Sequence, residues 1–135
     1  VLIGCSNKNK DPAPSTQPTV TELQSSQWKC SGFTHRTLGA DGASVNSAFV
    51  AGTFEIRFSP TGIWYLARAA DSYGPAVSRS GLYRNTGTTL VLTVTTPTSF
   101  KVDQITNDKL TVTEVFPASA DGNHVEDQYQ TTREP

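Results

Sequence analysis

Residues 53–68 read TFEIRFSPTGIWYLAR, and the reading of this stretch decides the fold. Phe54, Ile56 and Phe58 alternate with Glu55 and Arg57, the period-2 pattern of a strand with one face buried and the other wet. Ser59-Pro60-Thr61-Gly62 follows as a turn: Pro60 pre-sets the first central dihedral, and Gly62 takes a positive φ without a Cβ clash. A second strand over 63–68 carries Trp64, Tyr65 and Leu66. A hairpin with one apolar face needs a partner sheet, and the flanking segments repeat its design.

On the C-terminal side, 80–84 and 89–95 pair around Asn85-Thr86-Gly87, with Leu82, Leu90, Leu92 and Val94 facing inward. Residues 98–105 and 109–116 pair around Asn107-Asp108, with Phe100 and Val102 on one arm and Leu110 and Val112 on the other. Pro97 and Pro117 stand at strand ends, where a missing N–H removes no ladder bond. Residues 125–133 close the series, with Tyr129 on one face and Gln128 and Gln130 on the other. On the N-terminal side, 20–24 reads as a short helical turn capped by Thr19 or Thr21, and 27–33 as the first strand. Trp28 and Cys30 share a face there, which makes Cys30 a small buried hydrophobe, while His35 alternates to the opposite face. Residues 37–47 and 70–78 read as loops, and Ala48-Phe49-Val50 is expected to lie across the end of the barrel. Some eight short strands in adjacent hairpins make an all-β, antiparallel up-and-down meander that closes into a roughly eight-stranded barrel. Closure removes the exposed edges.

At 135 residues and 36% hydrophobic content, the chain can bury one core. Its net charge of −1, from 11 basic and 12 acidic residues, is scattered and points away from nucleic acid. No apolar run approaches the ~20 residues of a spanning helix. Of its two imidazoles, neither His35 nor His124 has an acid and a nucleophile around it in a recognisable order, so the chain reads as a non-enzyme without catalytic residues. Residues 121–127, DGNHVED, gather oxygen ligands but lack the spacing of a Ca²⁺ loop, and read as a solvated hairpin loop with no metal. Glu55 with Arg57, and Arg79 with Arg84, read as solvated strand faces. No cofactor is expected.

The first five residues, Val1-Leu2-Ile3-Gly4-Cys5, resemble the lipobox that ends a bacterial lipoprotein signal peptide. The resemblance implies that Cys5 is the acylated first residue of the mature protein and the point of attachment to a membrane. The rival readings are an apolar strand that happens to end in Cys, and a Cys5–Cys30 disulfide. Residues 6–19, SNKNKDPAPSTQPT, are polar and Pro-rich and read as an extended or disordered tether. By resemblance to lipoprotein sorting rules, Ser6 fits the outer membrane of a Gram-negative cell. The acidic residues that mark surface export in some Bacteroidota do not follow Cys5, so the periplasmic or surface side stays open.

Over roughly 23–133 the chain resembles the bacterial lipocalin-like lipoproteins. The resemblance rests on Gln27-Trp28-Lys29, Phe58-Ser59-Pro60-Thr61-Gly62, Gly81-Leu82-Tyr83 leading into Thr89-Leu90-Val91-Leu92, and a last strand with Tyr129 and Arg133. In place of the usual G-x-W stand Ser25, Ser26 and Gln27. It implies three parts: 1–5 the end of a signal, 6–19 the tether, and 20–135 a lipocalin-like, calycin-type barrel.

Function then hides in the inward set Trp28, Phe54, Ile56, Phe58, Leu82, Leu90, Leu92, Phe100 and Leu110. An eight-stranded barrel has an interior that side chains fill or that holds one small ligand. The leading expectation is a lipid-anchored envelope protein that binds a small apolar ligand in the barrel. The alternative is an accessory lipoprotein with a filled core that docks on a larger membrane-associated protein assembly. A third reading is an enzyme inhibitor acting through loops 37–47 and 70–78.

Overall fold

The structure is a computed structural model of the chain, and it describes residues 17–68, 76–86, 89–94 and 97–134. A short helix, α1 (Val20–Ser25), precedes eight strands: β1 (Gln27–Leu38), β2 (Ser44–Phe58), β3 (Ile63–Arg68), β4 (Val77–Asn85), β5 (Leu90–Leu92), β6 (Ser99–Ile105), β7 (Lys109–Val115) and β8 (His124–Glu134). They form one eight-stranded sheet in the order β5-β4-β3-β2-β1-β8-β7-β6, with every pairing antiparallel. β1 and β8 pair across the chain's two ends. The result is a meander nearly closed into a barrel, with the seam between β5 and β6.

The helix plugs one end. Thr19 caps it by accepting from the Glu22 backbone N–H at 3.2 Å while Glu22 Oε1 accepts from the Thr19 N–H at 2.8 Å, a reciprocal capping box. This sets Leu23 down on the core with no exposed surface. Arg133, cross-strand neighbour of Trp28, ties the last strand to that plug. Its Nε donates to Ser26 Oγ at 2.6 Å, and its Nη1 donates to the Asn107 carbonyl at 3.1 Å. Gln24 donates to the Tyr83 hydroxyl, which donates to the Ser59 carbonyl at 2.7 Å. Pro18 is buried, and its carbonyl accepts from Asn85. Residues 17–19, read from sequence as tether, are thus part of the folded unit. Cys5 and tether residues 6–16 lie outside the described residues.

Alternation along the strands builds the core as the sequence suggests. Trp28, Phe54, Ile56, Phe58, Leu90, Leu92, Phe100 and Leu110 are each at most 7% exposed and belong to one cluster with Trp64, Leu66, Val112 and Tyr129. Fully burying such a side chain stabilises by about 1.5–3 kcal/mol. Cys30, Val94 and Val102 pack partly buried against it. Leu82 departs from expectation: it is 63% exposed and points outward. The inner positions of β4 are instead Arg79, Gly81 and Tyr83, because Gly81 is the partner of Trp64 and lies under its indole. A Cβ on Gly81 would collide with the Thr93 carbonyl, and Trp64 Nε1 donates to that carbonyl at 2.7 Å. The glycine permits this approach, and in doing so hides the strand's phase from a reader looking for large apolar residues.

The N-terminal hairpin is longer than expected. β1 runs on to Leu38 and β2 starts at Ser44, so the 37–47 loop shrinks to a turn over 39–43. Ala48-Phe49-Val50 lies within β2 and pairs with β1 rather than crossing the barrel end. Residues 44–49 are exposed on both faces, so they show no apolar alternation, and pairing with β1 holds them extended. Of the expected loop 70–78, residues 77 and 78 open β4, and 70–75 lie outside the described residues, as does Gly87 of the next turn. No helix among the described residues is long and apolar enough to cross a membrane.

Candidate functional site

The inward positions change character toward the end of the barrel away from α1. β3 goes Trp64, Leu66, Arg68; β4, read backwards, Tyr83, Gly81, Arg79; β7 Leu110, Val112, Glu114; β8, read backwards, Thr131, Tyr129, Asp127. On each of these four strands the inner face comes to a charge at this level.

Arg79 Nε donates to Glu114 Oε2 at 3.1 Å, joining β4 to β7, two strands that are not sheet neighbours. The Glu114 side chain is only 2% exposed and that of Arg79 32%. Arg68 is 7% exposed, with its guanidinium carbon 5.7 Å from the centre of the Phe54 ring. Gly52 leaves it room: a Cβ there would stand 3.1 Å from Arg68 Nε. Glu114 and Asp127 are direct cross-strand partners, so two carboxylates share one buried patch of the inner face. Burial pushes the Asp127 carboxyl up and Glu114 adds to it, against the hydrogen bond and charge of His35. His35 Nδ1 lies 2.6 Å from Asp127 Oδ1.

An aromatic group floors this polar layer. Tyr129 is 3% exposed, with ring centres 5.0 Å from Phe33 and 5.2 Å from Phe54. Burial, then the Asp127 and Glu114 charges, push its hydroxyl above the ordinary tyrosine range.

His35 reaches this face through a bulge. The pairing of β1 with β2 shifts between Cys30 and Gly32, so Cys30, Phe33 and His35 all turn inward. The expectation that His35 faces away from Cys30 is corrected on that ground. His35 is engaged by Asp127, and burial raises the Cys30 thiol, the opposite of what an activated nucleophile needs. Arg79, expected on a solvated face, is likewise corrected to an interior ion-pair partner, whereas Arg84 is exposed and Arg57 pairs with Glu55 at the surface.

One residue along β8, the outer face mirrors the arrangement. Glu126 is held by Arg36 Nη2 at 3.1 Å and His124 Nε2 at 2.8 Å, with Lys101 at 4.0 Å. Burial raises this carboxyl, but the His124 hydrogen bond and the three cationic neighbours outweigh it and hold it below the ordinary glutamate range. In the 121–127 stretch, Asp121 accepts from the Ser119 hydroxyl and the Asn123 N–H, so it shapes its own turn. Among the described residues no three His, Cys, Asp or Glu side chains gather as metal ligands do.

On the outside, where β1 parts from β8 between Lys29 and Thr34, a concavity of about 560 Å³ opens, lined among others by Ser31, Phe49, Gln128 and Thr132. The residues expected to contact a ligand inside the barrel are, Leu82 apart, packed against one another in the core. Sequence reasoning left Trp64 and Leu66 unassigned, although the W-x-L-x-R alternation of β3 carries the signal. It also missed Glu114 and Asp127, whose partners stand 35 and 92 positions away.

Compared with protein-family models and with curated proteins, the chain matches none.

Proposed function

We propose that this chain is a non-enzymatic, lipid-anchored barrel of a Gram-negative cell envelope, held at the outer membrane through acylated Cys5. It works as an accessory subunit that docks its outer surface on a membrane-associated assembly. The observation that carries this reading is that side chains from different walls meet across the interior. Trp64 of β3 reaches Phe100 of β6 at 4.7 Å between ring centres, and Arg79 of β4 reaches Glu114 of β7. An interior crossed in this way is committed to packing, whereas Val45, Phe49, Tyr65, Leu82 and Val91 stand exposed outside.

A second reading has its own observation. Arg68, Glu114 and Asp127 are at least nine-tenths buried, and burying ion pairs seldom stabilises a fold. A small ligand with an apolar body and a polar head would find the Phe33, Phe54 and Tyr129 rings beside those charges. The inhibitor reading is weakened, since most of its first loop is strand.

A native mass spectrum of the full chain, extracted gently from its own membrane, tests the first reading. An acylated chain free of small molecules and held in a larger protein complex is the expected result. A non-covalent adduct of lipid or cofactor size on the isolated barrel would replace it with the second reading, and a bare monomer would overturn both.

A further inference from the structure

β2 projects past the body of the barrel. On one side, β1 pairs it from Leu38 opposite Ser44 to Thr34 opposite Phe49. On the other, β3 pairs it only from Glu55 to Phe58 among the described residues. Among the described residues no strand pairs with the outer edge of β2 over 44–50. Along 44–49 the outer edge of β2 therefore presents its backbone donors and acceptors to a strand from elsewhere.

Natural sheet edges are guarded by charges, prolines or bulges. Residues 42–54, GASVNSAFVAGTF, contain no proline and no charged residue. The segment's two large exposed side chains are Val45, 67% exposed, and Phe49, 65% exposed. They lie four apart on one face, with Ser47 midway. A two-fold axis at Ser47 sets Val45 opposite Phe49 of another copy, and Phe49 opposite that copy's Val45. Both are β-branched to aromatic cross-strand pairs, the kind that stabilises antiparallel strands, and no like charges meet. The segment complements itself, as an isologous contact requires.

We propose that the free edge of β2 over 44–50 is where two copies of this chain pair antiparallel about Ser47, so that the sheet of one barrel continues into the next. The pairing requires neither the anchor at Cys5 nor a larger assembly.

The test is the mass of the full chain by sedimentation equilibrium over a concentration series. The wild type is expected to dimerise. Val45→Lys with Phe49→Lys sets Lys against Lys and is expected to raise the dimer dissociation constant at least about tenfold, given up to ~1 kcal/mol for each lost pair. Val45→Lys with Phe49→Glu sets Lys against Glu in this register only, and is expected to restore the dimer. Because the Phe49 ring also covers Gly32, Val45→Lys alone serves as the variant that leaves the fold untouched, and it is expected to weaken the dimer in the same direction. Ser47→Cys is expected to cross-link to its own copy at the substituted position under mild oxidation. A wild type that stays monomeric throughout, a dimer indifferent to Val45→Lys, or a charge swap that fails to restore association would each overturn the proposal.

Discussion

The helix half and the far half of this barrel are built from the same strands by opposite chemistry. Near α1, the inner face is Trp28, Ile56, Trp64, Leu66, Leu110 and Val112, each with no exposed surface and filled from several walls. Toward the other end, the inner face is Arg68, Arg79, Glu114, Asp127 and His35, with Arg79 bonded to Glu114 and His35 to Asp127. The first arrangement gains free energy for every methylene it hides. The second must recover a desolvation penalty with each contact and gains little net. The stability of the fold thus resides in the helix half, which leaves the far half freer to change.

Trp64→Ala is the strongest way to break that contrast. It removes the indole, its bond to the Thr93 carbonyl and its contact with Phe100 at the β5/β6 seam. A loss of about 3–5 kcal/mol is expected in urea unfolding. A loss under about 1 kcal/mol would mean that the helix half does not carry the fold.

Arg79→Ala should be milder. It strips the partner from a carboxylate that is 2% exposed, but Arg79 itself keeps a third of its side chain in water, which dilutes the pair. About 2 kcal/mol is expected, below the 3–5 of a fully buried pair. Adding Glu114→Gln should recover most of it, because the burden left behind is the unpaired charge. If the double variant is no more stable than the single one, lost packing rather than lost charge is the cause.

Much of the helix half was legible because alternation is a local signal. Phe54, Ile56 and Phe58 announce their face within five residues, and so do Leu90 and Leu92. The far half was less legible for three separate reasons. Gly81 stands at an inner position where a large residue is expected, so β4 was read with Leu82 inward and Arg79 outward. The bulge after Cys30 reverses the phase of β1 before His35, and no residue type announces it. The Arg79–Glu114 bond depends on the curvature of the sheet, which brings β4 to β7 across strands that never pair. The extension of β2 over 44–49 was hidden for a fourth reason, since a strand wet on both faces has no period in its hydrophobicity.

The smallest expected effect is the sharpest in sign, because Glu126 and Asp127 are adjacent on β8 and face opposite ways. Burial and the neighbouring Glu114 hold the Asp127 carboxyl above 3.8, so the folded state keeps that proton more tightly than the unfolded chain does. Its contribution is present at low pH and is lost as pH rises from 3.8 through the folded value. Glu126 lies below 4.5 in the folded state, because His124, Lys101 and Arg36 together outweigh its burial. Its contribution is present above 4.5 and is lost as pH falls through the folded value. Asp127→Asn keeps an acceptor for His35 while removing the titration, so the variant's stability should climb more steeply with pH than the wild type's across the acidic limb. Glu126→Gln should climb less steeply over the same range. Urea midpoints for both variants through that limb read the two slopes directly. If both change the slope in one direction, the inner and outer faces of β8 do not differ electrostatically, and the contrast between the apolar and charged halves loses its clearest expression in a single strand.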